Sequence, residues 1–274
     1  MKVYASIVLY KTDKETLQKS IEVFLNCKFR EKRLFLIDHS PNDQLKIMAD
    51  MDESIVYIFN PSNPGFGAGH NIAINKAIED NADYHLVINP DVSAKGDVIF
   101  PMVEYMQKDS SIGMMMPQIL NEDGSIQYLP KLLPSPYTVL MRKLKRPKCL
   151  YDGFINQYEL RNVSQSMIYN VPILSGCFTI FNVKALKEIG GYDDRFFMYF
   201  EDWDLSRRMN KKYKTIYFPK VSIIHNYESG ANHNKRLFKI FVQSAIKFFT
   251  KWGWIFDCER RKINKQTLAQ FKNN

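Results

Sequence analysis

The feature that most constrains this chain is the alternation of short apolar runs with helical stretches. VYASIVLY (residues 3–10), RLFLID (33–38), IVYIFN (55–60), YHLVIN (84–89) and IGMMMPQI (112–119) are rich in β-branched and aromatic residues and read as strands. Between them the period becomes helical. Thr12 and Glu15 make a capping-box pattern that opens a helix to about Asn26. NPGFGAGHNIAINKAIED starts as a Gly-rich loop and turns helical near Gly67, and a further helix runs to about Lys108. The strands are nearly continuous in apolar character, so both of their faces are buried. The predicted class is therefore α/β, with a mostly parallel central sheet covered by helices and a C-terminal amphipathic helical tail.

The pattern is less regular later in the chain. Residues 128–167 hold four prolines within YLPKLLPSPYTVLMRKLKRPK, together with a basic cluster, and read as an irregular excursion over a site. Regular structure resumes with IYNVPILSGCFTIFN (168–182) as a strand pair or bent strand. A short helix (183–189) and the strand YKTIYFP (213–219) follow.

Charge is unevenly spread. Residues 231–274 carry 10 Lys and Arg against 2 Asp and Glu, whereas residues 1–230 carry 28 against 27. A nearly neutral body argues against a nucleic-acid-binding domain, whose basic surface spreads over the fold. A basic tail suits an anionic surface such as lipid. Within it, residues 235–252 have a helical period. Leu237, Phe238, Phe241, Val242, Ala245, Phe248, Phe249 and Trp252 share one face, and Lys235, Arg236, Lys239, Gln243, Lys247 and Lys251 the other. That pattern fits an interfacial membrane helix and equally a helix packed on the core with its lysines in water. The four cysteines are far apart and form no CxxC pair, which points to a reducing compartment rather than a disulfide or zinc scaffold. The opening MKVYASIVLYKTD is interrupted too soon for a signal peptide, and no run of about 18 apolar residues is present.

Ligands of parallel sheets bind beyond the carboxyl ends of the strands. Polar residues stand there: Tyr10 and Thr12, then Asp38, Asn60, Asn89 and Asp91. Gly65, Gly67 and Gly69 let backbone approach a ligand, and Asn71 is placed to cap the helix or touch a base or ribose. The Gly-rich loop follows the third strand rather than the first, which excludes a Rossmann dehydrogenase. Asn89-Pro90-Asp91 is a variant of a DxD metal motif, and His225 could complete such a site. In GGYDDRFFMYFEDWDLSRR, Asp194, Glu201, Asp202 and Asp204 stand among aromatic rings at a helix start. Rings raise a carboxylate's pKa and a helix N-terminus lowers it, a balance suited to a general base.

In chain order, Asp38, NPGFGAGHN, the NPD strand end, the SGCF strand, GGYD-x(8)-EDWDLSRR and His225 together resemble a family 2 glycosyltransferase with the GT-A fold, especially its rhamnosyltransferase-like branch. The resemblance covers about residues 3–230. It implies a catalytic domain over 1–230, with a nucleotide-sugar half (1–120) and an acceptor half (121–230), followed by a basic extension (231–274). It implies that Tyr10, Asp38, Asn60, Gly65, Gly67, Asn71 and Asn89 form the nucleotide site. Asp91 and His225 would hold a divalent cation, Mn2+ or Mg2+. Asp202 would be the base, supported by Glu201, with Trp203 and Asp204 on the acceptor. Asn89 departs from the motif, since an amide is a poorer ligand than a carboxylate. The implied reaction is inverting transfer from a nucleoside-diphosphate sugar, dTDP-rhamnose favoured and UDP-sugars open, to a saccharide or lipid-linked saccharide. It would take place in the cytoplasm or at the inner face of the membrane, without nucleic acid. A nucleotidyltransferase is disfavoured because LYKTDKETL after the first strand has no glycine. A non-catalytic binder on a degenerate transferase fold is the alternative.

Overall fold

A computed structural model of the protein describes residues 1–226 and 234–272. The strands are β1 (Lys2–Leu9), β2 (Glu31–Asp38), β3 (Ile55–Phe59), β4 (Tyr84–Ile88), β5 (Val92–Ser93), β6 (Ile112–Leu120), β7 (Tyr169–Asn170), β8 (Phe178–Asn182) and β9 (Lys214–His225). They form one sheet in the order β3-β2-β1-β4-β8-β6-β9-β5, with β7 also paired to β9. The helices are α1 (Lys14–Leu25), α2 (Phe66–Glu79), α3 (Ile99–Gln107), α4 (Pro136–Leu144), α5 (Lys148–Tyr158), α6 (Val183–Ile189), α7 (Glu201–Asn210), α8 (Lys235–Trp252) and α9 (Cys258–Ala269).

The first four strands follow from the apolar runs. Val3, Ala5, Ile7 and Leu9 of β1 are completely buried, and so are Leu34, Leu36 and Ile37 of β2. β1 runs parallel to β2 and β4, and β2 runs parallel to β3. This block carries the expected parallel sheet. The other half is mixed: β8 runs antiparallel to both β4 and β6, while β6 and β9 are parallel. The insertion of β8 carries Ser175 and Gly176 to the end of the sheet where β4 finishes.

Three local expectations need correction. The cap of α1 is Asp13, whose carboxylate accepts the Thr16 N–H at 2.9 Å, rather than a Thr12–Glu15 box. Residues 128–167 are not irregular throughout, because they contain α4 and α5. Ser135 caps α4, Thr138 completes the box, and Pro136 occupies the first turn, where a missing N–H costs nothing. The tail holds a second helix, α9, capped by Asp257.

The tail helix α8 packs on the body. Phe248 and Phe249 are buried with Phe196 and Phe200, and Phe241, Ala245 and Trp252 lie against them. The lysine face is not all in water. Lys251 pairs with Asp193 and Asp204, both at 2.7 Å, and Lys247 Nζ donates to the Arg195 carbonyl. Arg207 of α7 is fully buried and grips Asp257 with two hydrogen bonds of 2.8 Å. The expected boundary at 230/231 lies outside the described residues.

Candidate functional site

A cleft of about 1080 Å³ opens beyond the carboxyl ends of β1, β2 and β4. Tyr10, Lys11 and Thr12 line it from the end of β1, His39 from the end of β2, and Asn89 and Asp91 from the end of β4. Gly65 enters at the start of α2, Ser175 and Gly176 before β8, and Glu201 and Asp202 at the start of α7. Phe197, Met198 and Tyr199 form a strap across it, and Arg236, Leu237 and Ile240 close one side from α8.

The carboxylate pair is held at the first turn of α7 by an unusual backbone. Tyr199 (φ 69°) and Phe200 (φ 67°) are both left-handed, a conformation that costs of order 1–3 kcal/mol per non-glycine residue. Phe200 tolerates it because its ring is buried against Phe248, Phe249 and Trp203. The turn aims Asp202 at the cleft. Its Oδ2 accepts the Gly176 N–H at 3.3 Å and its Oδ1 accepts the Trp203 N–H at 2.8 Å. Burial pushes the Asp202 carboxyl up to about 6, while those two N–H groups and the Lys131 charge oppose the rise. Burial, reinforced by the Asp202 charge, drives Glu201 well above the carboxylate range. Glu201 Oε2 is buried with no hydrogen-bond partner.

In the same cleft, Asn89, Asp91 and His225 converge. Asn89 Nδ2 lies 3.2 Å from His225 Nε2, and Asp91 Oδ1 lies 3.4 Å from the same nitrogen. Gln127 Oε1 meets His225 Nδ1 at 3.1 Å, and Gln127 Nε2 donates to the His225 carbonyl. A hydrogen bond on one imidazole nitrogen orients the other, as around metal-bound histidines. Asn89 Oδ1 and Asp91 Oδ1 are buried without hydrogen-bond partners. Orphaned oxygens beside an imidazole fit a hard divalent cation. Among the described residues no group of three or more His, Cys, Asp and Glu is placed to hold a metal ion by itself. The protein's donor set would be one carboxylate, one imidazole and one amide.

Of the residues expected from sequence, Tyr10, Gly65, Asn89, Asp91, Glu201, Asp202 and His225 meet at this cleft. Thr12 lines it too, and the remaining candidates do not. Asp38 is fully buried, with one oxygen on the Ser40 N–H and the other on the Tyr57 hydroxyl. Asn60 Oδ1 is taken by Ser62. Gly67 makes room for Tyr192: a Cβ there would stand 2.8 Å from the Tyr192 Cβ. Asn71 clasps Tyr192 by both N–H and carbonyl and also bonds Asp194. Asp204 is fully buried on Arg208, Trp252 and Lys251, so it fixes α7 to α8 rather than facing the cleft. Trp203 packs on Phe200 and Phe248 beneath the Arg142 guanidinium. His39, Gln127 and the α8 residues Arg236, Leu237 and Ile240 were not among the site residues expected from sequence. His39 follows Asp38 directly, so its strand-end position was a usable signal. Gln127 and α8 carry no local signal, because only tertiary packing brings them here.

Residues 6–190 match the sequence model of glycosyl transferase family 2, about two thirds of the chain. The chain belongs to glycosyl transferase family 2. Within this family it is 26% identical over 175 residues to an N-acetylglucosaminyl-diphospho-decaprenol L-rhamnosyltransferase of Mycobacterium tuberculosis. That match covers 59% of this chain and only 57% of the mycobacterial protein's length. It is 23% identical over 275 residues to the rhamnosyltransferase WbbL of Escherichia coli, with 97% of each chain covered. Its fold resembles that of GalNAc-T7, solved with UDP, GalNAc and Mn2+, at a TM-score of 0.61 and 16% identity over 83% of this chain and 43% of the other. It likewise resembles Staphylococcus aureus TarS, at a TM-score of 0.60 and 13% identity over all of this chain and 43% of the other. The α/β fold of this family 2 chain is thus shared with solved GT-A-like structures. The carboxylate pair at 201–202 lies beyond the matched 6–190, so its placement rests on the geometry above.

Proposed function

We propose that the protein transfers a sugar, with inversion, from a nucleoside-diphosphate sugar to a hydroxyl of a saccharide or lipid-linked saccharide in cell-surface glycan synthesis. The supporting observation is that Asn89, Asp91 and His225 line the same cleft as Asp202, with the 176–177 segment bonded to both Asn89 and Asp202. The similarity to rhamnosyltransferases favours dTDP-rhamnose as donor, with UDP-sugars as the second choice. The division of labour we propose gives residues 1–120 to the donor and 121–230 to the acceptor, with work at the inner face of the cytoplasmic membrane.

Asn89, Asp91 and His225 would hold the divalent cation, Mn2+ or Mg2+. When bound, it supplies positive charge to the departing diphosphate. Tyr10 and Gly65 line the donor side, where glycine backbone admits close approach. The acceptor hydroxyl stands against Asp202. Its oxygen forms a bond to the anomeric carbon while the carbon–oxygen bond to the diphosphate breaks, and that electron pair leaves with the diphosphate. Asp202 takes the hydroxyl proton. Attack and departure occur on opposite faces, so the configuration inverts. Burial raises the Glu201 carboxyl and the Asp202 charge reinforces it, so the two neighbouring carboxyls resist being charged together.

The test is donor turnover and binding together. Release of dTDP from dTDP-rhamnose in the presence of a lipid-linked saccharide is expected, with thermal stabilisation by dTDP that needs Mn2+ and is abolished by EDTA. Stabilisation by UDP instead would reassign the donor. Nucleotide binding without turnover for any donor and acceptor would favour a non-catalytic binder.

A further inference from the structure

Ten of the fifteen exposed large apolar side chains of the described residues fall in two short stretches, 137–150 and 238–256. In α4 and at the start of α5 they are Tyr137, Leu140, Leu144 and Leu150. In α8 they are Phe238, Val242 and Ile246, and just beyond it Trp254, Ile255 and Phe256, the last 88% exposed. These segments are neighbours. Lys143 Nζ of α4 lies over the rings of Phe241 (4.6 Å) and Phe238 (5.5 Å) of α8. The Trp254 ring contacts Phe249, and Arg260 Nη1 reaches the Pro134 carbonyl just before α4. The apolar side chains thus share one side of the molecule, where a soluble monomer rarely leaves so many together.

Charge decides what covers this side. Residues 137–150 carry Arg142, Lys143, Lys145, Arg146 and Lys148 and no acidic residue. Residues 234–256 carry Lys235, Arg236, Lys239, Lys247 and Lys251, again with no acidic residue. Arg142 and Lys251 serve internal carboxylates, but Lys145, Arg146, Lys148, Lys235 and Lys239 are exposed beside the apolar stripe. On α8, Lys235 and Lys239 fall in the same sector as Phe238, Val242 and Ile246, since all lie within about 100° at 100° per residue. Aliphatic and aromatic tips interleaved with bases, and no carboxylate, match an anionic bilayer surface. Stable peripheral attachment needs both apolar insertion and basic attraction. No described helix is long and apolar enough to cross a membrane.

We propose that this composite face, α4 with the outer sector of α8 and the 254–256 turn, docks the protein on an anionic lipid bilayer. The face that inserts is therefore not the phenylalanine face buried on α7. The inference rests on the lipid-linked acceptor reading, and it gives that reading a geometry. Arg236, Leu237 and Ile240 of α8 line the cleft while Phe238 and Val242 face outward, so the cleft opens beside the docking face.

Flotation of the full chain with vesicles tests it, using phosphatidylcholine alone and an equal mixture with phosphatidylglycerol. Binding is expected only to the mixture and is expected to fall steeply with added salt. The variant Leu144→Ser/Ile255→Ser/Phe256→Ser should lose at least about tenfold in binding, given the apolar area removed. Lys145→Ser/Arg146→Ser/Lys148→Ser should lose on the order of a hundredfold. Both variants replace exposed side chains, and thermal stabilisation by dTDP or UDP in solution should match wild type in each. No binding of wild type to the mixture overturns the proposal, and so does undiminished binding of both variants. Concentration-dependent dimerisation abolished by the apolar variant, with no vesicle binding, would assign the face to a second copy instead. Flotation without any nucleotide response would keep the docking face and remove the transferase reading.

Discussion

At the scale of single residues, the proposed transfer depends on how one carboxylate is charged. Asp202 must be ionised to accept a proton, so transfer should rise with pH as it loses its own around 6, seen as the acidic limb of kcat against pH. Lys131 is buried close enough for its charge to lower the Asp202 pKa, and its amine is itself pushed down to about 8 by burial. Lys131→Met should therefore move the acidic limb upward, with donor stabilisation unchanged. A merely structural Lys131 would lower the melting temperature and leave the limb in place. Asp202→Asn should reduce kcat by about a thousandfold or more. The stability sign follows from the same shift. The folded-state pKa of Asp202 is raised above its ordinary 3.8, so its contribution to stability is full below that value and lost as pH rises through about 6. At pH 8 its charge is a net cost, and Asp202→Asn should melt no lower than wild type. A lower melting point would mean that the loss of turnover reflects damage to the fold.

At the scale of elements, the site depends on a contact between the start of α2 and the strap over the cleft. Gly65 has φ 113°, and a Cβ there would stand 2.2 Å from the Phe197 carbonyl oxygen. Phe66 N–H donates to that same oxygen at 2.9 Å. Gly65→Ala should cost about 2 kcal/mol or more and weaken donor binding, because backbone cannot yield as a flexible side chain can. Gly96 also has a positive φ (76°), but nothing lies within 4 Å of its would-be Cβ. Gly96→Ala should cost only about 1 kcal/mol and leave donor binding intact. The pair separates the strain of a left-handed residue from the closeness of the strap, read by melting temperature and by the nucleotide-induced shift.

At the scale of the whole molecule, the C-terminal segment is packed into the body of the fold. The buried Arg207–Asp257 pair joins α7 to the start of α9, and Asp204 holds Trp252 and Lys251. Removing one partner of a buried pair strands the other charge, so Asp257→Ala should destabilise by about 3–5 kcal/mol in a denaturant titration. Deleting residues 235–274 would expose the Phe196–Phe200 cluster and should abolish transfer with or without membranes. For that reason point substitutions on the outer face, rather than truncation, are the way to separate docking from folding.

A mostly parallel sheet was legible in the sequence, because near-continuous apolar strands call for cover on both faces, whereas the order β3-β2-β1-β4 was not. The sequence by itself also determined α6 and α8 to the residue and the meeting of strand-end polar groups at one edge. Asn89, Asp91, His225 and Asp202 were legible because turn positions and a helix start leave polar side chains few other places to go. Other features were decided by tertiary structure. Asp38, Asn71 and Asp204 carry polar types that suit a site, yet each is consumed by partners from distant segments: Tyr57, Tyr192 and Trp252. The antiparallel entry of β8 and the left-handed pair Tyr199–Phe200 leave no periodic trace, since strand direction and backbone sign are set by what packs around them. The two sides of α8 were fixed in the same way: periodicity shows that a helix has faces, but only packing decides which of them water, core or lipid receives.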